Sequence, residues 1–187
     1  MDNGASSYRR FLDGDDSGFV EIIKEYKDGL IFYLCGFSGD VHTAEDLAED
    51  TFVKIITKKP RYSERSSFKT WLYAIGRNTP IDAARRSRRE SGSLSIDREG
   101  NLAGGGEDLL STYLREERRL TVHRALGRLK PEYRQILRLV YFEELSCKEA
   151  AKVMKKSVHS IETLAYRARQ SLKSELEKEG FTDENLS

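Results

Sequence analysis

Residues 145–169 constrain the fold more than any other part of this chain. They read Leu145-Ser-Cys-Lys-Glu-Ala-Ala-Lys-Val-Met-Lys-Lys-Ser-Val-His-Ser-Ile-Glu-Thr-Leu-Ala-Tyr-Arg-Ala-Arg169. Ser146 and Glu149 have capping-box spacing, with the serine accepting from a free backbone N–H and the glutamate reaching back, so a helix is expected to start there. Ser157 is placed to cap a second helix. Ile161, Leu164, Ala165, Ala168 and Leu172 then recur at i, i+3, i+4, i+7 and i+11, a single apolar stripe. At roughly 100° per residue the opposite face carries His159, Thr163, Tyr166 and Gln170, flanked by Glu162 and Arg167. Two short helices, a tight turn and an outward face of short polar side chains with one aromatic spell a helix-turn-helix whose second helix suits a DNA major groove. A plain helical hairpin shares this pattern, so the rest of the chain has to decide between them.

The 187 residues hold 32 basic and 31 acidic side chains, a balance that argues against a bulk polyelectrolyte binder. The balance hides segregation. Residues 1–60 carry 7 basic and 12 acidic groups, whereas residues 61–89 carry 8 and 2. Alternating blocks of this kind suit different partners for different segments. Cys35 and Cys147 lie far apart with no CxxC spacing, which speaks against a disulfide framework or zinc site. No apolar run approaches the length needed to cross a bilayer, and the polar N-terminus is unlike a secretory signal. A cytoplasmic protein is therefore expected.

Nearly every periodic segment is helical. Phe19, Ile22, Ile23 and Tyr26 open one helix that continues through Leu30, Tyr33 and Leu34, with Gly36 and Gly39 expected to interrupt it. Thr43 and Asp46 have a second capping-box spacing. The helix they introduce sets Ala44, Leu47, Ala48, Phe52, Ile55 and Ile56 on one face and Glu45, Asp46, Glu49, Asp50 and Lys54 on the other. A third helix starts near Ser67, with Phe68, Trp71, Leu72 and Ile75 at i, i+3, i+4 and i+7, and runs into the basic tract Arg85, Arg86, Arg88 and Arg89. Trp71 is read as core. Residues 90–108 change character: Ser91-Gly92-Ser93, Gly100 and Gly104-Gly105-Gly106 sit among charges with little to bury. A structureless loop this long inside one compact domain would be unusual, so a boundary is placed here. The expected fold is all-α: two small helical domains, residues 1–89 and 113–187, joined by a flexible linker over 90–112, with the helix-turn-helix in the C-terminal domain.

These segments, in this order, resemble the extracytoplasmic-function (group IV) sigma factors of bacterial RNA polymerase. Thr43-Ala-Glu-Asp-Leu-Ala-Glu-Asp-Thr-Phe52 is similar to the acidic helix of their region two. Phe68-Lys-Thr-Trp-Leu-Tyr-Ala-Ile-Gly-Arg-Asn78, followed by Ile81-Asp82 and Arg85, is similar to their promoter-melting segment. Leu129-Lys-Pro-Glu-Tyr-Arg-Gln-Ile-Leu137 and Tyr166-Arg-Ala-Arg169 resemble region four. The likeness covers roughly residues 10–175, and three ordered motifs are far more specific than one helix-turn-helix.

The resemblance implies roles. Asp46, Glu49, Asp50 and Phe52 would meet the clamp helices of the polymerase largest subunit. Tyr73, Arg77, Asn78, Asp82, Arg85 and Arg86 would meet the unpaired strand of the minus-ten element, where arginines hold phosphates and aromatics stack on bases. Ser157, His159, Ser160, Glu162, Thr163, Tyr166 and Arg167 would read the minus-thirty-five element. The implied partners are core RNA polymerase, through its clamp and its flap, promoter DNA and a cognate anti-sigma factor. No catalytic group, cofactor, metal or membrane insertion is implied.

Three positions depart from the family pattern. Pro80 falls in the middle of the minus-ten segment, and a kink or break between Arg77 and Ile81 is expected from its missing N–H and ring clash. Lys155 stands where the turn commonly has glycine. Glu162 stands where a basic residue is common; it repels phosphate but can accept from cytosine N4. Two rival readings remain. A stand-alone helix-turn-helix regulator would bind duplex DNA as a dimer on a two-fold site. A helical metalloenzyme would need carboxylates converging on Asp46, Glu49 and Asp50 from a second helix.

Overall fold

Leu30, with no exposed surface, marks the point where the helices of the first half converge. The computed structural model describes the backbone of residues 3–90 and 121–181, and the side chains of residues 3–79 and 121–181. The first half comprises α1 (Asn3–Leu12), α2 (Asp16–Ser38), α3 (Val41–Lys58) and α4 (Phe68–Glu90). The second comprises α5 (residues 121–128), α6 (Pro131–Leu137), a π-helical turn at Arg138–Phe142, α7 (Cys147–Met154) and α8 (Val158–Lys178). Among the described residues there is no strand, so the molecule is all-α with a region of helices on either side of residues 91–120. The expected linker lies mostly outside the described residues.

Local chemistry sets most helix ends. Asp15 caps α2 by accepting from the Ser17 N–H, and Gly39 closes it in the left-handed region at φ 71°. Gly36 does not interrupt α2 as its sequence suggested. It is buried inside the helix, because a glycine in a long, well-packed helix costs only about 1 kcal/mol, which tertiary contacts override. The cap of α3 is Asp40 rather than Thr43. Its carboxylate accepts from the Thr43 N–H at 2.8 Å and the Thr43 hydroxyl at 2.7 Å, and these bonds hold it below the usual carboxylate range. The Ser146–Glu149 box is formed in both directions, and Ser157 accepts from the Ser160 N–H at 3.2 Å.

The expected break at Pro80 is absent: a single helix runs from Phe68 to Glu90. The proline removes one donor from a helix whose preceding turns are firmly held. Thr79 donates its hydroxyl to the Ile75 carbonyl and lies 3.2 Å from the Thr51 hydroxyl of α3. A Cβ at Gly76 would stand 2.8 Å from Leu30 of α2, so the glycine lets α4 approach closely.

An aromatic cluster anchors the start of α4. Phe68 is fully buried, with Tyr8, Tyr26, Tyr62 and Trp71 ring centroids 5.2–5.6 Å away. Trp71 is only half-buried at the edge of this cluster. Burial raises the Tyr8 phenol to about 12, and its hydroxyl donates to the Pro60 carbonyl at 2.7 Å.

Lys155 closes α7 at φ 52°, ψ 46°. A left-handed conformation costs an L-residue with a side chain about 1–2 kcal/mol. Glycine relieves this but adds unfolded-state freedom of about 0.5–1 kcal/mol. Lys155→Gly is therefore expected to raise stability by roughly 0.5–1 kcal/mol, read as an increase in the urea midpoint at unchanged slope.

Candidate polymerase and DNA surfaces

On α3 the stripe Ala44, Ala48, Thr51 and Ile55 is buried against α2 and α4. The opposite side presents Asp46, Glu49 and Asp50, all exposed. The same side carries two large apolar side chains: Ile56, which the sequence placed on the apolar stripe, is 44% exposed, and Val53, which it placed on neither face, is 57% exposed. At roughly 100° per residue, positions 46, 49, 50, 53 and 56 share one face. Acid at one end and aliphatic surface at the other suit a protein partner with a basic and apolar strip. Phe52 is not on this face. It is 7% exposed and meets Phe19 edge-on at 6.2 Å, so its place is in the core. Its spacing from Ala44 and Ala48 already put it on the apolar stripe. Among the described residues no group of His, Cys, Asp and Glu converges in a way that could hold a metal.

On α4 the expected minus-ten residues divide. Tyr73 is fully buried, 5.4 Å from Tyr33 by ring centroid, and burial together with the Glu143 carboxylate raises its phenol far above its ordinary value. It cannot stack on a base while so enclosed, a correction to the reading from the sequence. Its burial was not signalled by the Phe68–Trp71–Leu72–Ile75 stripe because α4 is covered on more than one side, by α2, α3 and α7. Arg77 and Asn78 are half-buried, and the Arg77 guanidinium sits 5.9 Å from the Phe37 ring. Asp82, Arg85 and Arg86 lie on the continuation of α4, and their side chains are outside the described residues. Positions 78, 82, 85 and 86 fall at i, i+4, i+7 and i+8, on one side of the helix.

On α8, Ile161 and Ala168 are fully buried and Ala165 nearly so, and they dock the helix on α6 and α7. The other side leaves Ser157, His159, Ser160, Glu162 and Arg167 exposed, Tyr166 57% exposed and Thr163 half-buried. All seven expected positions thus stand at the accessible side or N-terminal end of one helix. Val158, 41% exposed, joins them; the sequence reading had not included it. Short polar groups and a methyl-bearing residue near the N-terminus of a helix can meet base edges, while Arg167 can meet a phosphate or guanine.

Residues 22–90 match the family model of Sigma-70 region 2, and residues 119–172 that of Sigma-70, region 4. The chain is 32% identical over 164 residues to the ECF RNA polymerase sigma factor SigM of Bacillus subtilis, covering 88% of this chain and 98% of the relative. It is 31% identical over 159 residues to the RNA polymerase sigma factor YlaC of the same organism, covering 84% and 91%. Its fold is similar to that of the sigma factor RpoE, solved in complex with the anti-sigma factor NepR from Bartonella quintana. There the TM-score is 0.65 at 24% identity, covering 85% of this chain and 96% of that one.

Proposed function

Because the chain belongs to the extracytoplasmic-function sigma factors of bacterial RNA polymerase, we propose that its three exposed surfaces divide the work of promoter recognition among named residues. The function itself is that of the family: the protein joins core RNA polymerase and directs it to specific promoters. Sigma factors are non-enzymatic initiation factors, and this chain supplies binding rather than catalysis. It works in the cytoplasm, where polymerase and promoter are.

Asp46, Glu49, Asp50, Val53 and Ile56 meet the clamp of the polymerase largest subunit. The observation that carries this is the joint exposure of acidic and large apolar side chains on one face of α3. Arg77, Asn78, Asp82, Arg85 and Arg86 follow the unpaired minus-ten strand along α4. Ser157, His159, Ser160, Glu162, Thr163, Tyr166 and Arg167 read the minus-thirty-five duplex. A cognate anti-sigma factor completes the set of partners, a reading supported by the solved complexes of similar folds. The decisive experiment is run-off transcription on a genomic promoter library with purified core polymerase. Adding the protein should produce transcripts from promoters on which core alone is silent; no new transcript would overturn the assignment.

The α8 assignments make separate predictions. Arg167→Ala should weaken promoter use broadly through a lost phosphate or guanine contact. Glu162→Lys should instead change base preference at one position, by about 1–3 kcal/mol against the former best base. Selection from a randomised minus-thirty-five library checks both, and an unchanged preference for the Glu162→Lys variant would remove Glu162 from the readout.

A further inference from the structure

Tyr33 and Phe37 of α2, and Tyr73 and Arg77 of α4, are two pairs spaced i, i+4, so each pair lies along one face of its helix. The two pairs face each other. The Tyr33 and Tyr73 rings lie 5.4 Å apart, and one turn further along each helix the Arg77 guanidinium carbon stands 5.9 Å from the centre of the Phe37 ring. Phe37 in turn meets Tyr33 edge to face, 5.6 Å away at 90°. Tyr73 is fully buried and backs the Tyr33 ring, so the tyrosine that the sequence offered to a base instead fixes a neighbour. The turn that carries Phe37 is closed firmly: Gly39 caps α2, and the Ser38 hydroxyl donates to the Asp40 carbonyl at 2.7 Å.

Two polar atoms in this cluster are left open. The Tyr33 hydroxyl and Arg77 Nε are both buried, and neither has a hydrogen-bond partner. Burial pushes the Tyr33 phenol up and the Arg77 guanidinium pulls it back, so the two groups are near neighbours. A buried donor and acceptor side by side with no bond between them are costly to the free chain and call for a reason. Nor does any carboxylate among the described residues pair with Arg77.

Resting on the assignment of Arg77 to the minus-ten strand, we propose that Phe37 and Tyr33 are positioning residues that hold the Arg77 guanidinium for a backbone phosphate of that strand. The face of the Phe37 ring attracts the guanidinium without neutralising it, because a quadrupole carries no net charge. A carboxylate in the same place would also hold the arginine, but it would repel the phosphate. The Tyr33 hydroxyl accepts from Nε as the guanidinium settles on the strand, which leaves the terminal amino groups for phosphate oxygens. The bond that is open in the free protein is then made in the complex, so it strengthens binding of the strand rather than the fold. A side chain held beforehand also loses less rotamer freedom when it binds.

The test uses holoenzyme assembled from core polymerase and the full chain. Its affinity is measured for a forked DNA whose minus-ten strand is unpaired, taken from a promoter that the wild type recovers in run-off transcription. Arg77→Ala should weaken binding about tenfold and reduce the slope of log affinity against log salt by about 0.7, one single-strand phosphate contact. Tyr33→Phe and Phe37→Leu should each weaken it about threefold, the scale of one net hydrogen bond or one cation–π contact. Phe37→Tyr, which keeps the ring face, should restore wild-type affinity. Built into Arg77→Ala, Tyr33→Phe and Phe37→Leu should weaken binding no further, because they act only through the guanidinium. A role in packing alone would persist in that background. Equal losses in both backgrounds would overturn the positioning role and leave Arg77 on the strand. An Arg77→Ala holoenzyme that binds the fork as the wild type does would overturn both. Tyr33→Phe deletes a hydroxyl that has no partner in the free chain, so its thermal midpoint should not fall, and it carries the test if Phe37→Leu fails to fold.

Discussion

Reversing the charges of Asp46 and Asp50 to lysine is expected to weaken binding to core polymerase at least tenfold, a loss of about 1.4 kcal/mol or more. Both carboxylates are exposed on α3, outside the stripe that holds the helix to α2 and α4. Exposed substitutions of this kind usually change stability by no more than about 0.5 kcal/mol, so the thermal midpoint should move by only about 1–2 °C. Affinity and stability therefore separate, which a folding defect would not allow. The neighbouring Val53 and Ile56 refine the test. Val53→Ala should weaken binding with little dependence on salt, whereas the effect of the charge reversal should shrink as salt rises, because screening acts on the ionic part alone. Titration of labelled core polymerase at two ionic strengths gives both answers. Unchanged affinity for the double reversal would remove α3's acidic side from the interface.

Truncating Phe68 is expected to have the largest effect on stability of any single substitution considered. The ring is fully buried and touches Tyr8, Tyr26, Tyr62 and Trp71, which come from α1, α2, the α3–α4 connection and α4 itself. Phe→Ala at such a site costs about 3–5 kcal/mol through lost transfer energy and an unfilled cavity. Set against a typical total stability of about 5–15 kcal/mol, that is a large fraction. For a chain of this size the thermal midpoint should fall by roughly 6–20 °C. Phe68→Leu, which keeps most of the volume, should cost much less. Phe68→Ala should also lose promoter opening well below its melting temperature, because Phe68 is the first residue of the helix that carries Arg77 and Asn78. Thermal unfolding by circular dichroism checks the first claim and open-complex formation the second. A midpoint within 2 °C of wild type would show that the aromatic cluster does not hold α4.

Much of this was legible before any coordinates. The helix-turn-helix could be read from Ser146, Glu149, Ser157 and the stripe from Ile161 to Leu172, because capping and the 3.6-residue period act within one or two turns. The outward face of α8 followed from the same period. The all-α class followed from the absence of period-two alternation, and the family resemblance ordered the segments along the chain.

Other positions were not legible, for one recurring reason. Tyr73 sits off the apolar stripe of α4 yet is fully buried, because a period identifies one covered face and α4 is covered on several. Ile56 sits beside the core residue Ile55 yet is exposed. Gly36 looks like a helix breaker and is in fact an internal residue of α2, on which Arg138 rests. Pro80 looks like a break and is carried within α4 by the contacts of Thr79 and Gly76. Glu143 and Arg138 look like surface charges and are buried between domains. By itself, the sequence determined which residues cap, which face of an isolated helix is apolar and which partners its motifs suit, since these depend on neighbours within a few residues. Only the tertiary structure decided which faces were covered twice, which breakers were tolerated and where the two domains met. Those outcomes depend on side chains as many as 106 positions apart, as with Phe32 and Arg138, and no local period encodes them.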